Sequence, residues 1–450
     1  MSEPAPQHIE GDETIPVVRP VESPVPGGTG FAAVLRNRAF LSIWAAQITS
    51  QTAQNTLWFS LIIMVGRLTG QTALSIGFTI ILVQIPTVLF SSVSGVLVDR
   101  VSKRAILVGT NVIRVGGVLL YIVFEHHLAG LYLVTFLVAV VSQPFAPAEG
   151  SSLPLLVKGE QLITANSLFQ MTFMASQAVG FAVAPVAIGF LGIRTTLIVL
   201  AGLFAFAAVV LIPLPAVTRK HEGAGGLSLG ELARRIWGDL AEVARFIFKD
   251  PPLAVALFQI ALAPTLLLVL AEVGPSFLTN NLHMQQTSTS LFFLLAPAGL
   301  GLGLGIAILG QWGHRLRKDR LVLVSLIALG VTVIGLASVP TLATIWHNLA
   351  GIGLALPQGV QLTTTIVIIS LLMGVEVAFI NAPVQTIIQQ RATPEIRGRV
   401  LAMQQTLTAA MAIPPLVVVG GIAAIFGTAA TLALMGVVIV GIGLGIVYYA

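Results

Sequence analysis

Apolar residues fall in twelve blocks set apart by short polar stretches: 40–64, 74–98, 105–124, 130–151, 162–189, 195–215, 252–278, 287–310, 321–338, 361–386, 400–423 and 426–449. About 20 helical residues cross a hydrocarbon core, so each block is long enough to span a membrane. The chain is 56% hydrophobic and 9% charged. A water-soluble domain carries roughly 25% charged residues, so most of this surface must face lipid. Continuous runs, rather than short alternating segments, exclude an outer-membrane barrel. The 44 glycines weaken helices in water, but in lipid they let helix backbones approach closely. Examples are Gly299, Gly301, Gly303 and Gly305 in one span and Gly441, Gly443 and Gly445 in the last.

With the N-terminus cytoplasmic and the spans alternating, nineteen of the 23 Lys and Arg fall on the cytoplasmic side, and the outer loops keep Arg67 and Arg194. This asymmetry predicts both termini inside. It also accounts for the net charge of +5 without a nucleic-acid partner. The chain has no cysteine, which excludes disulfides, iron–sulfur clusters and thiol catalysis. No phosphate-cradling loop or nucleophile elbow is present, so no cofactor and no enzyme activity are expected. Glu125, His126 and His127 adjoin one another, a spacing that does not converge on a metal.

Residues 1–35 read as a disordered cytoplasmic tail, 36–215 as a first six-helix bundle, 216–251 as a linker and 252–450 as a second bundle. In the linker Leu232, Ile236, Leu240, Val243 and Ile247 recur at helical spacing behind a capping pair, Ser228 and Glu231. The expectation is an amphipathic helix on the membrane surface or a solvated linker helix. The segment from Gly95 to Arg104 recurs 215 residues later, from Gly310 to Asp319, and a weaker echo joins Phe145–Glu160 to Phe379–Glu395. Internal repeats of this kind build paired bundles around a central site. Between Pro340 and Pro357 a mildly polar stretch and eight apolar residues are too short to span; they are a surface or re-entrant piece, or extensions of the neighbouring helices.

Polar residues inside the spans are costly, which makes them the candidates for function. Gln47, Gln51, Gln54 and Asn55 lie on one face of the first span, lining either a cavity or an interhelical seam. Asn166, Gln170 and Gln177 repeat the device in the fifth span. Arg114, in the middle of the third, needs an acid, a carbonyl cage or water, and would either hold an anionic substrate group or form a structural ion pair. Glu376 in the tenth span, Glu272 toward the outer part of the seventh and Glu149 at the inner end of the fourth are carboxyls that can exchange protons if they alternate between water and protein; the competing reading is a fixed structural acid.

In the loop after the second span, Gly95 permits a close helix contact. Asp99 can cap the next helix or pair across the halves, while Arg100, Lys103 and Arg104 anchor the loop on the inner leaflet. Gly95, Asp99, Arg100, Lys103 and Arg104 together resemble the cytoplasmic signature of the major facilitator superfamily. The runs Asn381-Ala-Pro383-Val-Gln385 and Pro394-Glu395-Ile-Arg397-Gly398-Arg399, with Gln47-Ile-Thr-Ser50, are similar to the bacterial exporters grouped with enterobactin and macrolide efflux proteins. The resemblance implies an all-α fold of twelve transmembrane helices in two pseudo-symmetric six-helix bundles, working by alternating access. It assigns Asp99 the role of an interbundle latch and Gly95 a tight helix contact. For the subgroup it implies proton-driven export of amphiphilic compounds.

The chain departs from the family at several points. Ala184 precedes Pro185 in the fifth span, the fourth span lacks an embedded arginine, Gln54 and Asn55 replace an acid in the first span, and Glu149 stands where relatives commonly carry arginine. The leading expectation is a monomeric, multi-pass protein of the bacterial inner membrane that exports hydrophobic or amphiphilic small molecules in exchange for protons, surrounded by membrane lipids. The alternatives are an importer or lipid transporter, and a non-transporting membrane receptor.

Overall fold

The structure is a computed structural model that describes residues 31–215, 251–282, 288–312, 318–341, 358–391 and 397–449, together with four isolated linker positions, Gly230, Arg234, Gly238 and Ala241. Within this set the chain is a series of helices: α1 Phe31–Leu35, α2 Arg38–Thr69, α3 Ala73–Arg100, α4 Lys103–Val123, α5 Leu128–Ser142, α6 Phe145–Leu156, α7 Leu162–Leu191, α8 Ile193–Leu211, α9 Pro251–Asn280, α10 Ser288–Trp312, α11 Lys318–Ala337, α12 Gln358–Arg391, α13 Arg397–Phe426 and α14 Thr428–Tyr449. The expected amphipathic linker helix and the residue 342–357 stretch lie outside the described residues.

Twelve transmembrane helices result. Ten segments are long and apolar enough to cross a membrane outright, α5 and α6 counting as one span, Leu128–Leu156. An eleventh, through α7, is bent by 41° between Gly180 and Ala182. Pro185 withdraws the N–H that would reach residue 181 and crowds its carbonyl, which places the bend. The twelfth is α2, 32 residues long but diluted by its amides and hydroxyls. Asn37 caps α2 by accepting from Ala39 N at 3.0 Å and Phe40 N at 3.3 Å, and its Nδ2 donates to Leu156 O at 2.6 Å, tying the entry of the first span to the exit of the fourth.

The end of the molecule carrying α1 and the turn at Val101–Ser102 is here called proximal, and the end carrying the turn at Gly70–Thr72 distal. In the first half α2 packs on α7 and α8, α4 on α8 and α5, and α3 on α5. In the second half α10 packs on α12, α11 on α12 and α14, and α9 on α13. Small residues set these approaches. A Cβ on Gly374 of α12 would strike the Ala298 backbone of α10, and a Cβ on Gly301 of α10 would strike that of Leu371, whereas one on Gly303 meets open space. In α14, Gly443 lies against Ile327 of α11, while Gly441 and Gly445 face open space.

Duplication is visible in the distal turns. Gly192 and Gly427, at φ 77° and 82°, join the fifth to the sixth and the eleventh to the twelfth span. In both, the threonine four residues on, Thr196 and Thr431, donates its hydroxyl back to the glycine carbonyl at 2.7 Å.

The halves meet where α3 packs on α9 and α13, and where α7 packs on α10. Among the described residues, the buried apolar core of the second half extends into the first through Phe59, Ile62, Ile63, Ile76, Ile80, Ile81, Ala184 and Ile188, all in the distal thirds of α2, α3 and α7, with the partly buried Ile85 and Ile193 packed against it. Proximal residues of the first half, such as Phe40, Ile43, Phe145, Phe169 and Leu211, form a core of their own. Hydrophobic closure between the halves is therefore a distal feature.

Candidate transport site

Arg114 is enclosed within the first half. Its Nε donates to Ser142 Oγ at 3.0 Å and its Nη1 to Ser50 Oγ at 2.9 Å. Ser50 in turn donates to Asn111 Oδ1 at 2.8 Å, and Asn111 Nδ2 reaches Leu107 O at 2.9 Å. The guanidinium also lies over the rings of Phe145, 4.6 Å from the centroid, and Phe204, at 5.6 Å. Its electrostatic partner is Glu149, buried on α6, whose Oε1 has no hydrogen-bond partner. Four spans thus converge on one cation. The site is a buried cation held by hydroxyls and ring faces, with a buried acid acting on it from beyond ion-pair contact, and every group around Arg114 named here belongs to the first half.

The amides of α2 divide. Gln47 is buried and donates through Nε2 to Phe169 O of α7 at 3.1 Å. Trp44 Nε1 reaches Thr172 Oγ1 on the same helix at 2.8 Å, and Gly180 lets α7 close onto the Asn55 backbone and Cβ. Gln47 and Asn55 therefore lie in the seam between the first and fifth spans. Gln54 is buried with neither amide atom partnered, and Gln51 is half-buried. On α7, Asn166 and Gln170 are exposed in the proximal half of the helix, and Gln177 is half-buried.

The three candidate carboxyls occupy three different places. Glu376, half-buried on α12, accepts through Oε1 from the Thr332 hydroxyl of α11 at 2.8 Å, while its Oε2 is enclosed without a partner. At the offset that sets Phe379 on Phe145, Glu376 falls on Ser142, so the second half holds a carboxyl where the first holds the hydroxyl that receives Arg114. Glu149 belongs to the Arg114 site.

Glu272, on α9, is fully buried, and neither of its oxygens has a hydrogen-bond partner. Its carboxyl abuts Gly77 of α3 and Gly420 of α13, the first in one half and the second in the other. One turn further along α9, the Ser276 hydroxyl donates to the backbone carbonyl of Gln71 in the first half. Gln71 has φ 63°, a left-handed backbone unusual for a residue with a side chain, and its N–H bonds Gly66 O at 2.7 Å. Lower in the same seam Ser91 and Thr406 share a hydrogen bond at 2.8 Å. The sequence marked Glu272 but not Gln71, Ser276, Gly77 or Gly420. The Gly-Gln turn was a visible cue; the glycine slot comes from positions far apart in the chain.

In the proximal loop, Ser102 is the residue that caps α4, accepting from Ala105 N at 3.3 Å. The side chain of Asp99, expected as cap or latch, lies outside the described residues. At Gly95 a Cβ would meet nothing within 4 Å. Lys103 is buried and Arg100 exposed, while Arg104 joins Lys103 and Ser152 around a small recess between α4, α6 and the end of α8. At the distal surface Arg194 holds Glu125 with two nitrogens, Nε at 2.8 Å, and His126 Nε2 lies 3.0 Å from the same carboxylate. The Arg194 hydrogen bond keeps the Glu125 carboxyl below its ordinary range. Among the described residues no cluster has the makings of a metal site.

The sequence profile of the Major Facilitator Superfamily matches residues 43–415. Macrolide efflux protein A of Streptococcus pyogenes is 30% identical over 148 residues, 31% of this chain, and the match spans 36% of that protein's length. Among solved structures, nucleoside transporter NupG superposes with TM-score 0.66 at 14% identity, covering 92% of this chain and 100% of that one. The POT family transporter PepTSo superposes with TM-score 0.65 at 13% identity, covering 92% and 97%. At these identities the superpositions speak for the fold alone.

Proposed function

Because the chain belongs to the Major Facilitator Superfamily, we propose that this multi-pass membrane protein is a secondary active transporter that exports hydrophobic or amphiphilic small molecules, exchanging them for protons by alternating access. The observation that carries the reading is one-sided closure: the two halves share an apolar core distally and keep separate cores proximally. A seam that is shut at one end is what alternating access requires of each of its end states. In the proposed topology the proximal end is cytoplasmic, as the Lys and Arg distribution demands, and the membrane is the bacterial inner membrane. The similarity to macrolide efflux protein A supports export and a bulky amphiphilic cargo.

Cargo would enter from the proximal side, past Asn166 and Gln170, and find Gln51 and Gln54 among apolar walls. A few amides within an apolar lining confer orientation without demanding a charged group. The engagement of the Arg114 guanidinium by Ser50 and Ser142 supports a structural role for it over that of an anchor for an anionic cargo group.

The reading is tested with the full chain reconstituted in vesicles, measuring flux of a macrolide and of cationic dyes with and without an imposed pH gradient. Flux that accelerates several-fold with the gradient is expected. Flux of the same rate under both conditions would remove the exchange step, and no flux of any amphiphile would remove the export assignment.

A further inference from the structure

We propose that Glu272 is a proton-binding site built into the distal seam, occupied as the neutral acid while the halves meet and emptied when they part. The inference rests on the alternating-access reading, and it adds that closure of the distal seam is linked to protonation of one carboxyl. The carboxyl lies between backbone positions of opposite halves, Gly77 and Gly420, with no hydrogen-bond partner on either oxygen. An ionised carboxylate in such a slot would need a counter-charge or several donors, since an unpaired buried charge costs several kcal/mol.

The elements packed on α9 offer no counter-charge at its distal end: α12 carries the acid Glu376 and, at its proximal end, Arg391, while α10 and α14 carry no Asp, Glu, Lys, Arg or His. From Gly70 to Val98, along α3, no Asp, Glu, Lys, Arg or His occurs, and none occurs from Leu401 to Phe426 along α13. On α9 from Pro252 to Asn280, Glu272 is the one ionisable side chain. Toward the distal end of α2 the ionisable side chain is Arg67, which is exposed beyond the buried run Leu61–Gly66. The Ser276 hydroxyl, one turn away, is committed to the Gln71 carbonyl. Glycine at both walls brings the backbones so close that a Cβ at either position would enter the carboxyl's own volume. The slot thus fits a neutral acid and excludes water.

The consequence for transport is linkage to pH. When the distal seam opens, water reaches Glu272 and the acid dissociates into carboxylate and a released proton. Closure requires the reverse, uptake of one proton from the distal side. The same side receives the proton on opening and supplies it on closure, so Glu272 moves no net proton across the membrane by itself; it links closure of the distal seam to the pH of the distal side.

The chain has no cysteine, so a single Ile80→Cys thiol, buried in the seam, reports its opening without competition. Maleimide labelling of the purified full chain is followed from about pH 5 to about pH 9 in three backgrounds: otherwise native, Glu272→Gln and Glu272→Leu. The thiol's own pH dependence is common to all three and cancels in the ratio. One linked proton changes the open fraction by up to about tenfold per pH unit. The expected result is labelling that rises with pH, relative to either variant, by several-fold across the range, with both variants slow throughout. Parallel profiles in all three backgrounds would overturn the proposal. Labelling needs no cargo, so a flattened profile in vesicle-inactive protein would sustain the proton site and sink the export reading, and active export with parallel profiles would do the opposite.

Discussion

At the residue scale the strongest commitments are buried charges. Arg114→Ala removes the partner of Glu149 and orphans the hydroxyls of Ser50 and Ser142. Leaving a buried polar group unsatisfied costs about 1–3 kcal/mol, so the variant is expected to unfold at markedly lower temperature in detergent. Adding Glu149→Gln should recover part of that loss; a double variant no better than the single one would show that the two charges are not coupled. The Glu125–Arg194 pair makes a pH prediction. Its carboxyl sits lower in the folded chain than in the unfolded one, so the stabilisation is present above the unfolded value of about 4 and is lost as pH falls through the folded one. Glu125→Gln should flatten the stability profile in acid, by a small and salt-sensitive amount because Arg194 is exposed. An unfolding series at low pH in which native and variant run parallel counts against the pair. The cost of Arg114, Glu149 and Glu272 was legible in the sequence because charges in apolar runs stand out. Ser50, Asn111 and Ser142 were not, since single hydroxyls and amides satisfy themselves on a helix turn and leave no mark in composition.

At the element scale, apolar blocks translate directly into helices because lipid leaves the backbone no other partner. Breaks within them are harder to read. The fourth span divides at Gln143–Pro144, where Gln143 Nε2 bonds Ala139 O at 3.1 Å and Thr87 Oγ1 at 3.2 Å, bracing the break against α3. Glycines also separate only in three dimensions: Gly301 and Gly374 are contact points of α10 and α12, whereas Gly303 faces open space. Gly374→Val should therefore destabilise the second half by about 1–3 kcal/mol or more through overpacking, while Gly303→Val should be close to neutral. Equal thermal shifts for the two would show that α10 and α12 do not approach as described.

At the scale of the whole molecule, two bundles, an even number of spans and the repeat between them follow from hydropathy, charge placement and the 215-residue echo, and the structure adds the matching Gly–Thr turns at Gly192 and Gly427. The level at which the halves close was not legible, because it depends on which of two packings of the same surfaces is realised. Gly95 illustrates this, since its close contact requires the proximal packing. Adding cargo from the proximal side should draw that end together and part the distal end. Distances between spin labels placed in pairs across the halves at each end should change in opposite senses.

The seam along α3 has one more consequence. Gly77, at Glu272, and Ser91, at Thr406, are fourteen positions apart, so at 1.5 Å of rise per position the two points stand about 20 Å apart along the helix. If the Ser91–Thr406 contact serves as a fulcrum, a gap wide enough for one water, about 3 Å, opens at Glu272 after a tilt of only about 8° at that helix rise. Hydration of the carboxyl can thus precede any opening large enough for a cargo molecule. A lever of this length separates the access of water and protons to the seam from the passage of everything else.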